Sequence, residues 1–138
     1  MKNKIKFLTK IFITVIVFSV LQSCRKYADG PLISFHSRTE RLANTWVVNN
    51  YSVNDVDYTY LLSGYTETFT RDGNFYYTFR GLSGTGSWTF ENNETEVRII
   101  GIDHQASESL FIIKLAEKQL WYYYLDGNDR KEYHMTQL

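Results

Sequence analysis

Between residues 65 and 79 the sequence alternates with a period of two around a single turn signal. Tyr65, Glu67, Phe69, Phe75, Tyr77 and Phe79 fall on one face, and Thr66, Thr68, Thr70, Tyr76 and Thr78 on the other, if Arg71-Asp72-Gly73 forms a three-residue loop. Gly73 then occupies the left-handed position of a bulged turn. A two-residue loop would set Phe69 opposite Tyr76 and mix the two faces. A one-residue slip turns every side chain of a strand over, so face separation selects the longer loop. A chain with such a hairpin at its centre is committed to an antiparallel sheet.

The same period recurs on both sides. Trp46 and Val48 share a face in residues 45–53, which Asn54-Asp55 ends, and residues 57–62 read as a short strand closed by Ser63-Gly64. Gly84, Gly86, Trp88 and Phe90 alternate with Thr85, Ser87 and Thr89, so that strand is expected from residue 84, its glycines permitting a bend or close backbone approach. Residues 91–96 are a polar turn, and residues 97–102 are apolar on both faces apart from Arg98. Two late hairpins follow. Pairing Leu115 with Leu120 across residues 116–119 puts Phe111, Ile113 and Leu115 on one face with Leu120, Tyr122 and Tyr124. A four-residue turn over residues 126–129 then opposes Tyr122 to Tyr133 and Leu120 to Met135 on that same face, which agrees with the first pairing. Residues 37–42 form one helical turn, with Ser37 as cap and Glu40 three residues on.

About eight short strands on mostly tight loops predict an all-β domain: a small antiparallel up-and-down barrel preceded by one short helical turn, whose closure removes the sheet edges. The aromatic side chains, 17% of the chain and led by tyrosine, suit pleated, half-buried strands.

The first 30 residues are of another kind. Lys2, Lys4, Lys6 and Lys10 precede an apolar run over residues 11–21, too short to span a bilayer but suited to an export signal. The tetrapeptide Leu21-Gln22-Ser23-Cys24 resembles the bacterial lipobox in its leucine three residues before the cysteine and its small residue just before it. That resemblance implies a signal peptide over residues 1–23, lipid attachment at Cys24, a tether over 24–35 and a domain over 36–138. It also implies a cell-envelope address, at the outer membrane of a Gram-negative bacterium. The competing readings are a cleaved soluble precursor with Cys24 incidental, and an uncleaved N-terminal anchor. Cys24 is the only cysteine, so the chain forms no internal disulfide. Without the four leading lysines, eleven basic face fifteen acidic side chains, a net charge of −4. That balance argues against nucleic acid as a partner, because affinity for phosphate comes mainly from Lys and Arg.

Several segments taken in order resemble the bacterial lipocalin-like lipoproteins. They are the entry segment of residues 37–46 ending at Trp46, the Asn/Asp-rich residues 53–59, the hairpin Phe69-Thr70-Arg71-Asp72-Gly73-Asn74-Phe75, the strand Gly84-Thr85-Gly86-Ser87-Trp88-Thr89-Phe90, and Ile113-Lys114-Leu115 with Leu120-Trp121. The chain departs from that pattern in lacking a glycine two residues before Trp46 and in being shorter than a full lipocalin. The resemblance implies a β-barrel in the envelope and no one particular ligand.

An eight-stranded barrel either fills its interior with side chains or holds one small ligand. Phe69, Phe75, Tyr77, Phe79, Trp88, Phe90, Tyr122 and Tyr124 all point inward in this register, and their bulk favours a packed core. If a cup exists, Glu67, Phe69, Tyr77, Trp88, Tyr122 and Tyr124 are the candidate residues for a small apolar or amphipathic ligand, with Glu67 and the tyrosines as polar selectors. A buried Glu67 needs a partner, for which Tyr77 stands opposite; a wet position near an open end is the expectation. Trp121 and Tyr123 face outward, beside Lys114. They are either ordinary cross-strand pairs or a contact surface for an envelope protein or glycan, the main alternative to an internal ligand. Asp103-His104 with Ser107 reads as a polar loop and not as a nucleophile arrangement. His36, His104 and His134 lack metal-like spacing, and no phosphate loop or cofactor motif is present. The chain is therefore read as a non-enzyme without metal or cofactor.

Overall fold

The structure, a computed structural model, describes residues 34–101 and 108–138. The signal segment, Cys24 and nearly all of the tether lie outside the described residues, as do Asp103, His104 and Ser107.

The chain enters through a single helical turn, α1 (Arg38–Leu42). Its capping box is complete: the Ser37 hydroxyl accepts from the Glu40 N–H and the Glu40 carboxylate accepts from the Ser37 N–H. Nine strands follow: β1 (Thr45–Val53), β2 (Val56–Asp57), β3 (Thr66–Phe69), β4 (Asn74–Phe79), β5 (Leu82–Glu91), β6 (Glu96–Ile100), β7 (Glu108–Leu115), β8 (Gln119–Asp126) and β9 (Asp129–Gln137). Each pairs antiparallel with its sequence neighbour from β3 onward, β1 pairs with β3, and β1 also pairs with β9 from Trp46↔Gln137 to Val53↔Lys131. The last pairing closes an eight-stranded barrel, with β2 as a two-residue flap on β1.

The central hairpin has the predicted register, with Thr66↔Thr78, Glu67↔Tyr77, Thr68↔Tyr76 and Phe69↔Phe75. Gly73 stands at φ +87° in the loop. On β5, Gly86 lies across from Phe75 and Gly84 across from Tyr77, so residues without side chains face the two rings. This strand begins at Leu82 and not at Gly84, because Arg80-Gly81, both at positive φ, turn the chain directly after Phe79. The last hairpin pairs Leu120↔Met135 and Tyr122↔Tyr133 as predicted, with strand pairing continuing to Asp126↔Asp129.

Two further sequence expectations fail. Residues 57–62 are not a strand. Beyond Asp57, residues Thr59–Leu62 form a 3-10 turn. The Asp57 carboxylate accepts from both the backbone N–H and the hydroxyl of Thr59, at 2.8 and 2.6 Å, and the Thr59 hydroxyl oxygen accepts from the Tyr51 N–H. Such local side-chain bonds offer the backbone an alternative to the ladder. Second, Phe111 and Ile113 do not share the inward face of Leu115. A bulge at Ile113 separates Ile112↔Tyr122 from Lys114↔Trp121 and reverses the alternation before it. Leu110 and Ile112 therefore join the core, while Phe111 stacks on Tyr123 outside with ring centroids 5.0 Å apart. A second bulge, at Asn49, does the same to β1, so that Tyr51 follows Trp46 and Val48 into the interior.

The half of the barrel next to α1 is packed solid. Leu42, Trp46, Phe69, Phe75, Val97, Leu115, Leu120 and Met135 are all buried there. Polar handles are satisfied: Trp46 Nε1 donates to the Leu42 carbonyl and Trp88 Nε1 to the Thr70 carbonyl, each at 2.9 Å.

Candidate functional site

The other half of the barrel, toward the end where β4 turns into β5 and β8 into β9, is not filled. A cavity of about 200 Å³ lies there, lined by Tyr65, Glu67, Tyr77, Glu108, Tyr122, Tyr124 and Tyr133 with Phe75, Ile99 and Leu110. Strand alternation explains the gathering. Tyr77 on β4, Tyr122 and Tyr124 on β8 and Tyr133 on β9 all take inward positions, Tyr65 stands just before β3, and cross-strand partners bring the side chains together: Glu67 faces Tyr77, and Tyr122 faces Tyr133. The rings stack in series, Tyr122 on Tyr133 at 5.0 Å, Tyr124 on Tyr133 at 5.9 Å and Tyr65 on Tyr77 at 6.2 Å between centroids.

Glu67 is the deep point. It is 3% exposed, which overturns the expected wet position at an open rim. The reason lies in two hydroxyl partners, one on the same run of chain two residues before it and one fifty-five residues on. Tyr122 Oη donates to Glu67 Oε1 at 2.7 Å and Tyr65 Oη donates to the same oxygen at 2.9 Å. Hydroxyl donors make burial of a carboxyl tolerable. Oε2 is buried too and has no hydrogen-bond partner among the described residues. Burial pushes the Glu67 carboxyl up to about 7, against the two tyrosine bonds that pull it down; the Glu108 carboxylate adds a smaller upward push. The tyrosines respond in kind. Burial, reinforced by the negative Glu67, holds the Tyr65 and Tyr122 hydroxyls far above their ordinary range, so both remain donors at any physiological pH. Burial also raises Glu108, with Lys131 opposing. Lys131 itself bonds to Asp126, which raises it.

Four of the six residues read from the sequence as a possible cup, Glu67, Tyr77, Tyr122 and Tyr124, line this cavity. Phe69 and Trp88 lie instead in the closed half, edge to face with centroids 6.0 Å apart. Tyr65, Tyr133 and Glu108 belong to the site but were not among those six. The inward register already contained Tyr65 and Tyr133. Glu108 was hidden by the bulge at Ile113: counted back from Leu115 without it, Glu108 falls on the outer face. On the outer wall, Trp121 stacks flat on His134 at 4.1 Å, Lys114 Nζ sits 4.2 Å from the Trp121 ring and Arg130 lies over Tyr123. These aromatics cover one another as cross-strand pairs. Among the described residues no three His, Cys, Asp or Glu side chains come together as a metal site.

Fold and site together define a closed, eight-stranded antiparallel barrel, solid at its helix end and holding a small tyrosine-lined cavity in its other half. No family model matches this chain, and no curated protein matches it in sequence.

Proposed function

We propose that this chain is a membrane-anchored, lipocalin-like lipoprotein whose barrel takes up one small amphipathic ligand in the cell envelope. The observation that carries the ligand reading is the cavity itself. Its ten lining residues mix ring faces and aliphatic groups with two carboxyls and five phenols, the combination that orients a small molecule. At about 200 Å³ it falls below the ~300 Å³ at which drug-sized pockets begin, so the ligand is smaller than a fatty acid or a sterol. The polar lining favours an amphipathic molecule over a purely apolar one. The lipoprotein reading rests on the basic and apolar residues before Leu21-Gln22-Ser23-Cys24 and on the ordered resemblance of the later strands to that family. Several acyl chains on one cysteine would hold the barrel persistently at the bilayer, since each buried methylene contributes about 0.8 kcal/mol.

Two measurements on the full chain test the two halves of this proposal. Radioactive palmitate should label the wild type and not Cys24→Ser; equal labelling of both would sink the anchor. Native mass spectrometry of the protein taken from its host membrane should show a bound small molecule that Tyr122→Phe retains less well. A bare mass in both would sink the ligand.

A further inference from the structure

We infer that the ligand of this cavity is a small organic cation, a primary amine whose ammonium group donates to Glu67 Oε2 while its body lies against the tyrosine rings. This rests on the reading of the cavity as a ligand site and adds the chemical class.

The carboxyl of Glu67 is asymmetric. Oε1 accepts two hydroxyl bonds, whereas Oε2 is buried, lacks a hydrogen-bond partner among the described residues, and belongs to a side chain that lines the cavity. A buried acceptor left unmatched keeps the cost of losing its water, and the cost is larger when the group is charged. When Glu67 is ionised, a ligand that donates there recovers that cost and one that only accepts does not. The charge of the lining points the same way. A second carboxyl, Glu108, lines the same space, and no Lys, Arg or His does. An anionic ligand would meet two acids and no counter-charge. The groups that face Glu67 are Tyr65 just before β3, Tyr77 from β4, Glu108 from β7, Tyr122 and Tyr124 from β8, and Tyr133 from β9. Lys131, the nearby cation, is engaged by Asp126.

Shape separates an organic cation from a metal ion. Hard divalent ions take roughly six to eight oxygens in a compact shell, and no cluster of three metal-binding side chains is found among the described residues. The cavity offers instead flat, electron-rich rings, which attract an ammonium group through their faces. Its ~200 Å³ suits one ring with a short aminoalkyl arm, since an apolar cavity of about 150 Å³ already holds benzene.

Binding of such a cation draws Glu67 into its ionised form. Affinity therefore rises with pH through the Glu67 transition near 7, while a neutral analogue shows no such rise. The purified full-length chain is titrated by calorimetry with benzylamine and with benzyl alcohol, its neutral counterpart, at about pH 6 and about pH 8. Benzylamine is expected to bind about ten-fold tighter than the alcohol at the higher pH, with the advantage shrinking at the lower. Glu67→Gln should remove the advantage of the amine and weaken the alcohol far less. The wild-type comparison decides the matter even if that variant does not fold. Equal affinity for both probes at both pH values would overturn the cation and leave the ligand site standing. Binding of neither would overturn the cation and the ligand site together.

Discussion

Ionising Glu67 means placing a charge on a side chain that is 3% exposed, and the pH dependence of stability should report it. Its carboxyl titrates near 7 in the folded barrel against an ordinary 4.5. Between those values the folded state keeps a proton that the unfolded chain has released. Its stabilising contribution is therefore full below about 4.5 and is lost as pH climbs through about 7, amounting to about 3 kcal/mol over the window. The melting midpoint of the wild type is expected to fall by about 10 °C between pH 5 and pH 8. Glu67→Gln, which never ionises, should match the wild type at the acid end, melt above it at the alkaline end and show a much flatter profile. A variant that keeps the wild-type slope would show that another group, Glu108 first, carries the effect.

Turns and bulges decide which face each strand presents. Gly73 combines φ +87° with a tight fit: a Cβ there would sit 3.3 Å from the Trp88 carbonyl oxygen, and the Gly73 carbonyl accepts from the Trp88 N–H at 2.8 Å. Gly127, at φ +62°, has open space around the same position. Gly73→Ala is accordingly expected to cost about 2 kcal/mol and Gly127→Ala about 1 kcal/mol, read as the difference in urea midpoint between the two variants. The central hairpin was legible in advance because its register depends on local signals, a turn glycine and two chemically distinct faces. The bulges at Asn49 and Ile113 were not. Neither position carries a glycine or proline to announce it. An extra residue there changes strand curvature and twist, a demand set by closing the barrel and not by the neighbours in sequence. Glu108 was missed for that reason alone.

At the level of the whole barrel, the closed half stabilises the fold and the other half encloses the cavity. Trp46 joins α1 to β1 through its bond to the Leu42 carbonyl and is fully buried, whereas Trp121 sits half-buried on the outer wall against His134 and Lys114. Trp46→Ala is expected to lose about 3–5 kcal/mol and Trp121→Ala about 1 kcal/mol, measured by denaturant unfolding of each. Similar losses at both sites would contradict this division of inner and outer wall. Period-two alternation and turn residues were enough to specify an all-β chain, its strand pairs after residue 65 and a barrel of about eight strands, because each of these follows from short-range geometry. Whether Glu67 is wet or buried, and whether the interior is filled or hollow, depended on which side chains meet across the barrel. Tyr65, two residues before Glu67, and Tyr122, across the barrel on β8, reach the same oxygen of Glu67. Closure of β1 on β9 brings Tyr122 within hydrogen-bonding distance of Glu67, and long-range packing of that kind leaves no periodic trace in the chain.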